Sequence, residues 1–197
     1  MSAVIDHKQR KQLIITRSII LFAEQGYNGV TYQKIADSCG FARTILYKYF
    51  KNKREIFAYI IEDLNQMLLK QYQAILRDTH ASEADRIEKI MNATVTLLYK
   101  EQIFLSVVLD YILAGHREGH PMKRSIRNYT YGVVRVLRRL VHAGIRGGEF
   151  RPQPSAVAVQ NLYALLESVI LRLTVAESAD FRQTQRMIHQ AVETLKL

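Results

Sequence analysis

Apolar residues recur at alternating spacings of three and four along almost the whole of this chain, which is the period of a helix's buried face and not the two-residue alternation of a strand. Leu13, Ile15, Ile19, Phe22 and Ala23 open the pattern, and Ile56, Phe57, Ile60, Ile61, Leu64, Leu68 and Leu76 carry it onward. Three prolines and nine glycines in 197 residues leave few interruptions, and 48% hydrophobic content is enough to bury a real core. The fold class is therefore all-α, with about nine helices. They are expected near 8–25, 32–39, 43–50, 54–77, 84–101, 103–115, 122–146, 154–176 and 180–195.

The apolar run at 103–115 contains Asp110 and falls short of the roughly 20 residues a membrane span needs. The N-terminus is charged and has no apolar signal core, so the chain reads as soluble and cytoplasmic, with no membrane partner. One cysteine, Cys39, excludes an internal disulfide and a cysteine-based metal cluster. It suits a small buried position before the Gly40 turn. His116 and His120 lie four apart, but Gly119 and Pro121 interrupt the helix such a zinc pair would need. Neither a glycine-rich phosphate loop after a strand nor a serine elbow is present. The sequence predicts no enzyme, no cofactor and no metal.

Charge is unevenly placed. Of the formal +10, residues 1–54 carry ten Lys/Arg against three Asp/Glu, while 55–197 carry eighteen against fifteen. A small cationic module points to a polyanion. Within it, Gly26 stops the first helix, Thr31 supplies an N-cap to "YQKIADSC", and Gly40 separates this short helix from another at 43–50. Two short helices around a glycine turn have the spacing of a helix-turn-helix. Leu46 and Phe50, four apart, face inward and leave Arg43, Thr44, Tyr47 and Lys48 outside. An arginine fork can read a guanine edge, and tyrosine and lysine reach phosphates, so this face fits a DNA major groove better than a core.

The run "FAEQGYNGVTYQKIADSCGFARTILYKYFKNKREIF", 22–57, resembles the DNA-binding domain of the tetracycline-repressor (TetR) family. Phe22, Gly26, Tyr27, Thr31, Ile35, Ala36, Gly40, Leu46, Tyr47, Phe50 and Lys53 carry the likeness. The resemblance implies a helix-turn-helix domain at 1–53 and a helical ligand-binding and dimerisation domain at 54–197. It implies a homodimeric repressor on a near-palindromic operator of double-stranded DNA, released by a small-molecule effector of apolar or amphipathic character. By position, Thr31 caps the second helix and touches phosphate, Arg43 and Thr44 face bases, Tyr47 and Lys53 hold phosphates, and Lys48 and Tyr49 add contacts. Two positions depart from the family. Ala42 stands where a capping serine is usual, and Ile45 replaces a threonine, offering a methyl contact to thymine in place of a hydroxyl.

Beyond the head, the helix at 154–176 is apolar nearly all round, which requires cover from its own domain and from something else. In the family the last two helices pair with those of a partner subunit. That makes Leu162, Leu165, Val169 and Leu173 on one helix, and Ile188, Val192 and Leu195 on the other, the expected interface. Tyr99, Phe104, Val108, Tyr111 and Tyr129 are candidate walls of an effector pocket, with Val133, Leu137 and Leu166. Asp110 is a candidate ligand-orienting acid. Arg124, Arg127, Arg135, Arg138 and Arg146 follow one face of the 122–146 helix, either solvated or meeting an acidic ligand. The alternative for the whole chain is a basic helical membrane-surface or architectural DNA-binding protein with no effector.

Overall fold

A computed structural model describes residues 7–117, 124–175 and 180–197, with side chains described outside 114–131. Nine helices form among them: α1 (His7–Gly29), α2 (Tyr32–Ser38), α3 (Arg43–Leu46), α4 (Lys53–Arg77), α5 (Glu83–Lys100), α6 (Gln102–Arg117), α7 (Arg124–Arg146), α8 (Ser155–Val175) and α9 (Phe181–Glu193). The expected order holds throughout. Two helices differ in extent. Residue Gly26, at φ 67°, kinks α1 where a stop was expected, and the chain then regains a further helical turn. The third helix is four residues long where eight were expected, because beyond Leu46 the backbone tightens. Lys48 and Tyr49 donate to the carbonyls three residues before them, and Phe50 to the carbonyl of Leu46.

Two compact units divide the chain: Met1–Leu64 with Ile103–Ser125, and Asn65–Gln102 with Ile126–Leu197. The first has an aromatic centre. Phe22, Tyr27 and Phe57 meet at 4.9–5.6 Å between centroids. From α6, Phe104 lies 5.5 Å from Phe57, and Tyr111 lies 4.5 Å from Tyr27 and 4.8 Å from Phe57. Phe104 is thus a core residue of the unit that holds the helix-turn-helix. Val108 is half-buried on the same helix, and Asp110 is exposed beside the kink, its Oδ2 close to where a side chain at Gly26 would begin.

In the second unit α5, α8 and α9 pack on one another. Ile87, Ile90, Met91 and Val95 of α5 are buried with Leu137 and Val141 of α7. Capping is thorough: Ser82 and Asp85 form a reciprocal capping box, and the Glu149 carboxylate accepts from the amides of Glu83 and Ala84 at 2.9 and 2.8 Å. Asp180 caps α9. The end of α7 is a Schellman motif, with Gly148 at φ 73°, Glu149 N–H donating to Gly144 O and Gly148 N–H to Ile145 O. It turns the buried Phe150 ring back over Gly144, where an added Cβ would sit 2.2 Å from the ring. Phe150 and Lys196 close the unit through an antiparallel bridge.

Five of the seven expected partner-facing residues sit in the chain's own core. Leu162, Val169, Ile188, Val192 and Leu195 are 0–5% exposed within the chain's own core, and Leu165 and Leu173 are half-buried. A side chain with no accessible surface cannot also line a contact with a second copy. The side of α8 that stays open carries Val157, Asn161, Ala164 and Leu171, ending at Val175. Among the described residues this is the helix long and apolar enough to cross a membrane by length and composition, and 28% of its most apolar window is buried.

Candidate nucleic-acid interface

The first-turn amides of α2 have no helical partners, and Thr31 satisfies one of them: its hydroxyl accepts from Lys34 N–H at 3.2 Å. Ile35 and Ala36 are fully buried, which fixes the inner side of α2. Its end is a second Schellman motif. Phe41 N–H donates to Ala36 O and Gly40 N–H to Asp37 O, both at 3.0 Å, with Gly40 at φ 67°. A Cβ at Gly40 would meet nothing within 4 Å, so the backbone angle alone calls for glycine there. Cys39 is buried at this turn, and burial raises its thiol pKa.

Ala42 begins α3 without a side-chain cap, as its methyl dictates. Leu46 and Phe50 are buried, which holds the short helix by its inner side and leaves Arg43, Thr44, Tyr47 and Lys48 exposed. Ile45 is half-buried, and so is Tyr49, whose ring lies 4.6 Å from that of His7 on α1. Arg43 lies beside two rings: its guanidinium carbon is 5.8 Å from the Tyr32 ring and 5.6 Å from the Tyr47 ring, and the two rings are 5.0 Å apart. An aromatic bracket of this kind limits the rotamers of the arginine before any ligand arrives.

Tyr32 was missed by sequence reasoning. It is the second half of the bracket, and its hydroxyl donates to Phe50 O, joining the start of α2 to the end of α3. Burial, first of its causes, pushes its pKa up to about 12. Its position just inside the Thr31 cap gave no signal of that reach. Asn52 was also missed, although Asn-x-x-Glu spacing was a readable cue. Its side chain accepts from Glu55 N–H at 3.0 Å, and the Glu55 carboxylate accepts from Lys51 N–H.

Lys53 is half-buried and already engaged. Its ammonium donates to Tyr27 O at 2.8 Å and Val30 O at 2.7 Å, and it lies 4.5 Å from the Tyr27 ring centroid. Burial lowers its pKa. This lysine ties the α1–α2 turn to the first residue of α4. Thr31 is exposed at the edge of the same turn.

The candidate effector residues fall into different parts of the chain. Phe104, Val108, Asp110 and Tyr111 belong to the first unit, and Tyr99, Val133, Leu137 and Leu166 to the second. Tyr99 is 4.9 Å from the Phe181 ring, and its hydroxyl bonds Thr184 at 3.1 Å. Val133, Leu137 and Leu166 are at most 3% exposed. The side chains of Tyr129, Arg124, Arg127 and His116 lie outside the described residues, as does all of His120. Among the described residues no group of three or more His, Cys, Asp or Glu could hold a metal ion.

A head that offers a cationic, hydroxyl-bearing helix face beside a capped partner helix defines a helix-turn-helix DNA-binding protein. The family profile of bacterial regulatory proteins, tetR family, matches residues 14–60, the span from within α1 to the first turns of α4. That match covers 47 of the 197 residues, and over this span the chain is similar to the DNA-binding head of tetR-family regulators. It is 24% identical over 143 residues to the HTH-type transcriptional repressor KstR2 of Mycolicibacterium smegmatis, covering 73% of this chain and 68% of that protein. It is 28% identical over 110 residues to the nucleoid occlusion factor SlmA of Haemophilus influenzae, covering 55% of this chain and 48% of SlmA. The solved structure of the ketosteroid transcriptional regulator KstR2 of Mycobacterium tuberculosis superposes with a TM-score of 0.73 at 17% identity, over 98% of each chain.

Proposed function

We propose that the chain is a ligand-responsive repressor that grips a near-palindromic operator as a homodimer and lets go when a small molecule binds its C-terminal part. The observation that carries this reading is the exposed Arg43, Thr44, Tyr47 and Lys48 face, held from beneath by the buried Leu46 and Phe50. Arg43 and Thr44 read bases, Ile45 packs its half-exposed methyl on thymine, and Tyr47, Lys48 and the Thr31 edge hold phosphates. Tyr49 sits at the rim. Lys53 has one ammonium hydrogen left after its two carbonyls, enough for a single phosphate bond. Functionally the chain divides into a DNA-binding part at 1–53 and a sensing and dimerising part at 54–197.

The open side of α8 supports dimerisation. Val157, Asn161, Ala164, Ser168, Leu171 and Val175 are spaced four, three, four, three and four, the seam of two helices that pack on each other. A second copy supplies the apolar cover that 157, 171 and 175 lack, and the two heads then meet half-sites one helical turn apart. For the effector, an apolar or amphipathic small molecule is the class that suits Tyr99, Val133, Leu137 and Leu166; it must open their packing, and its preference for the opened shape sets the coupling. The family likeness does not favour an architectural protein without an effector. The test is selection of bound fragments from genomic DNA with the purified protein. Recovery of a repeated near-palindromic sequence supports the reading, and an even spread of fragments refutes it.

A further inference from the structure

Helix α7 holds six arginines, one histidine and no lysine, aspartate or glutamate. Outside it, residues 55–197 contain twelve Lys/Arg against fifteen Asp/Glu, so this one helix turns an acidic background into a positive one. Its described arginines are on one side: Arg135, Arg138, Arg139 and Arg146 are all exposed, with His142 exposed among them. The opposite side is buried, with Val133, Leu137, Leu140 and Val141 at 0–3% exposure. None of these four arginines has an ion-pair partner among the described residues. Like charges three and four apart on a helix repel, so the face is held together by the core beneath it and not by its own electrostatics.

We propose that this arginine face is a second, sequence-independent site for the phosphates of double-stranded DNA, separate from the Arg43 face. Three observations choose the occupant. From Arg135 to Arg146 the stripe runs about 16 Å, a length over which a duplex offers a charge every ~1.7 Å. The four charged groups of the face are all guanidinium, whose planar fork binds phosphate oxygens in pairs. Lipid is disfavoured because an interfacial helix must bury its apolar side in the bilayer, and here that side is already in the core. The inference goes beyond operator recognition and does not depend on which residues read bases.

Full-length protein is titrated into labelled random-sequence duplexes over a salt series, followed by fluorescence anisotropy. Replacing Arg135, Arg138 and Arg139 together by Gln (R135Q/R138Q/R139Q) lowers the slope of log affinity against log salt by about 2–3 on every duplex, at ~0.9 for each phosphate no longer neutralised. It leaves the preference for one sequence over another intact, whereas R43A relaxes that preference and keeps the α7 share of the slope. A second variant, R139Q/R146Q, lowers the slope by about 2 and guards against a folding defect in the first. A wild-type slope in both variants overturns the proposal. So does loss of binding to phosphatidylserine vesicles with the DNA slope unchanged, which would assign the face to a membrane. Wild-type protein that keeps a steep slope but shows no sequence preference refutes the operator reading alone.

Discussion

Tyr32 at the start of α2 donates its hydroxyl to the carbonyl of Phe50, eighteen residues away at the far end of the α3 turn. Both residues are at most 9% exposed, so the carbonyl has no water to turn to if the donor is removed. Tyr32→Phe keeps the ring beside Arg43 and strands one buried acceptor, a loss of about 1–3 kcal/mol. Urea denaturation should show a lower midpoint with an unchanged slope. Operator affinity measured well below the new midpoint should fall as well, because the end of α3 is no longer pinned.

The same residue gives the head an alkaline limit. Tyr27 and Tyr32 both have pKa values raised from 10 to about 12, chiefly by burial. Between those values the unfolded chain has lost protons that the folded chain keeps, so stability falls as pH climbs. Thermal melts should move to lower temperature from pH 10 to pH 12 while staying flat just below pH 10. In Tyr32→Phe the drop should be shallower, and an unchanged drop would remove Tyr32 from the account.

Two glycines separate backbone strain from steric conflict. Gly40 needs φ 67° and has open space around it, so Gly40→Ala costs on the order of 1 kcal/mol from the left-handed backbone alone. Gly144 is helical, but its Cβ would enter the Phe150 ring at 2.2 Å. Gly144→Ala must displace a buried aromatic and should cost about 1–3 kcal/mol or more. A Gly144→Ala/Phe150→Leu double variant should recover part of that loss, as calorimetry can check. Gly40→Ala should show no such coupling to residue 150.

Arg43 and Lys53 should separate in binding experiments. Arg43→Ala removes an exposed, bracketed guanidinium and should lower specific affinity by about 1–3 kcal/mol while relaxing sequence preference. Lys53→Ala leaves the Tyr27 and Val30 carbonyls without their shared donor, so its first effect should be on stability. Chemical denaturation and salt-dependent anisotropy distinguish them. Lys53→Ala with full stability and a salt slope reduced by about 1 would instead make this lysine a plain phosphate contact.

Helical period, the Gly40 stop and the Thr31 cap were local, and each could be read from a few neighbouring residues. The Arg43 face was legible for the same reason: four apart, Leu46 and Phe50 define which side is inside. What the sequence concealed was distance. Tyr32 reaching Phe50, Lys53 reaching Tyr27, and Glu149 capping α5 join residues 18 to 66 apart, and no local pattern encodes which polar group finds which. On α8 the period was legible but not its phase. A helix apolar all round offers two candidate faces, and only packing against α5 and α9 decided that Leu162 and Val169 go inside while Leu171 stays out.

That phase yields a discriminating pair of substitutions. Leu171 is 61% exposed and Val175 76%, on the open seam of α8, whereas Leu162 is 1% exposed in the chain's own core. Leu171→Glu places a charge where a second copy is expected and should convert dimer to monomer with helicity by circular dichroism retained. Leu162→Glu buries an unpaired carboxylate and should unfold the second unit outright. Analytical ultracentrifugation beside thermal melts separates the outcomes. Monomer formation should also lower operator affinity steeply, because one head alone loses the second half-site. If Leu171→Glu sediments as the wild type does, the two copies meet through some other face.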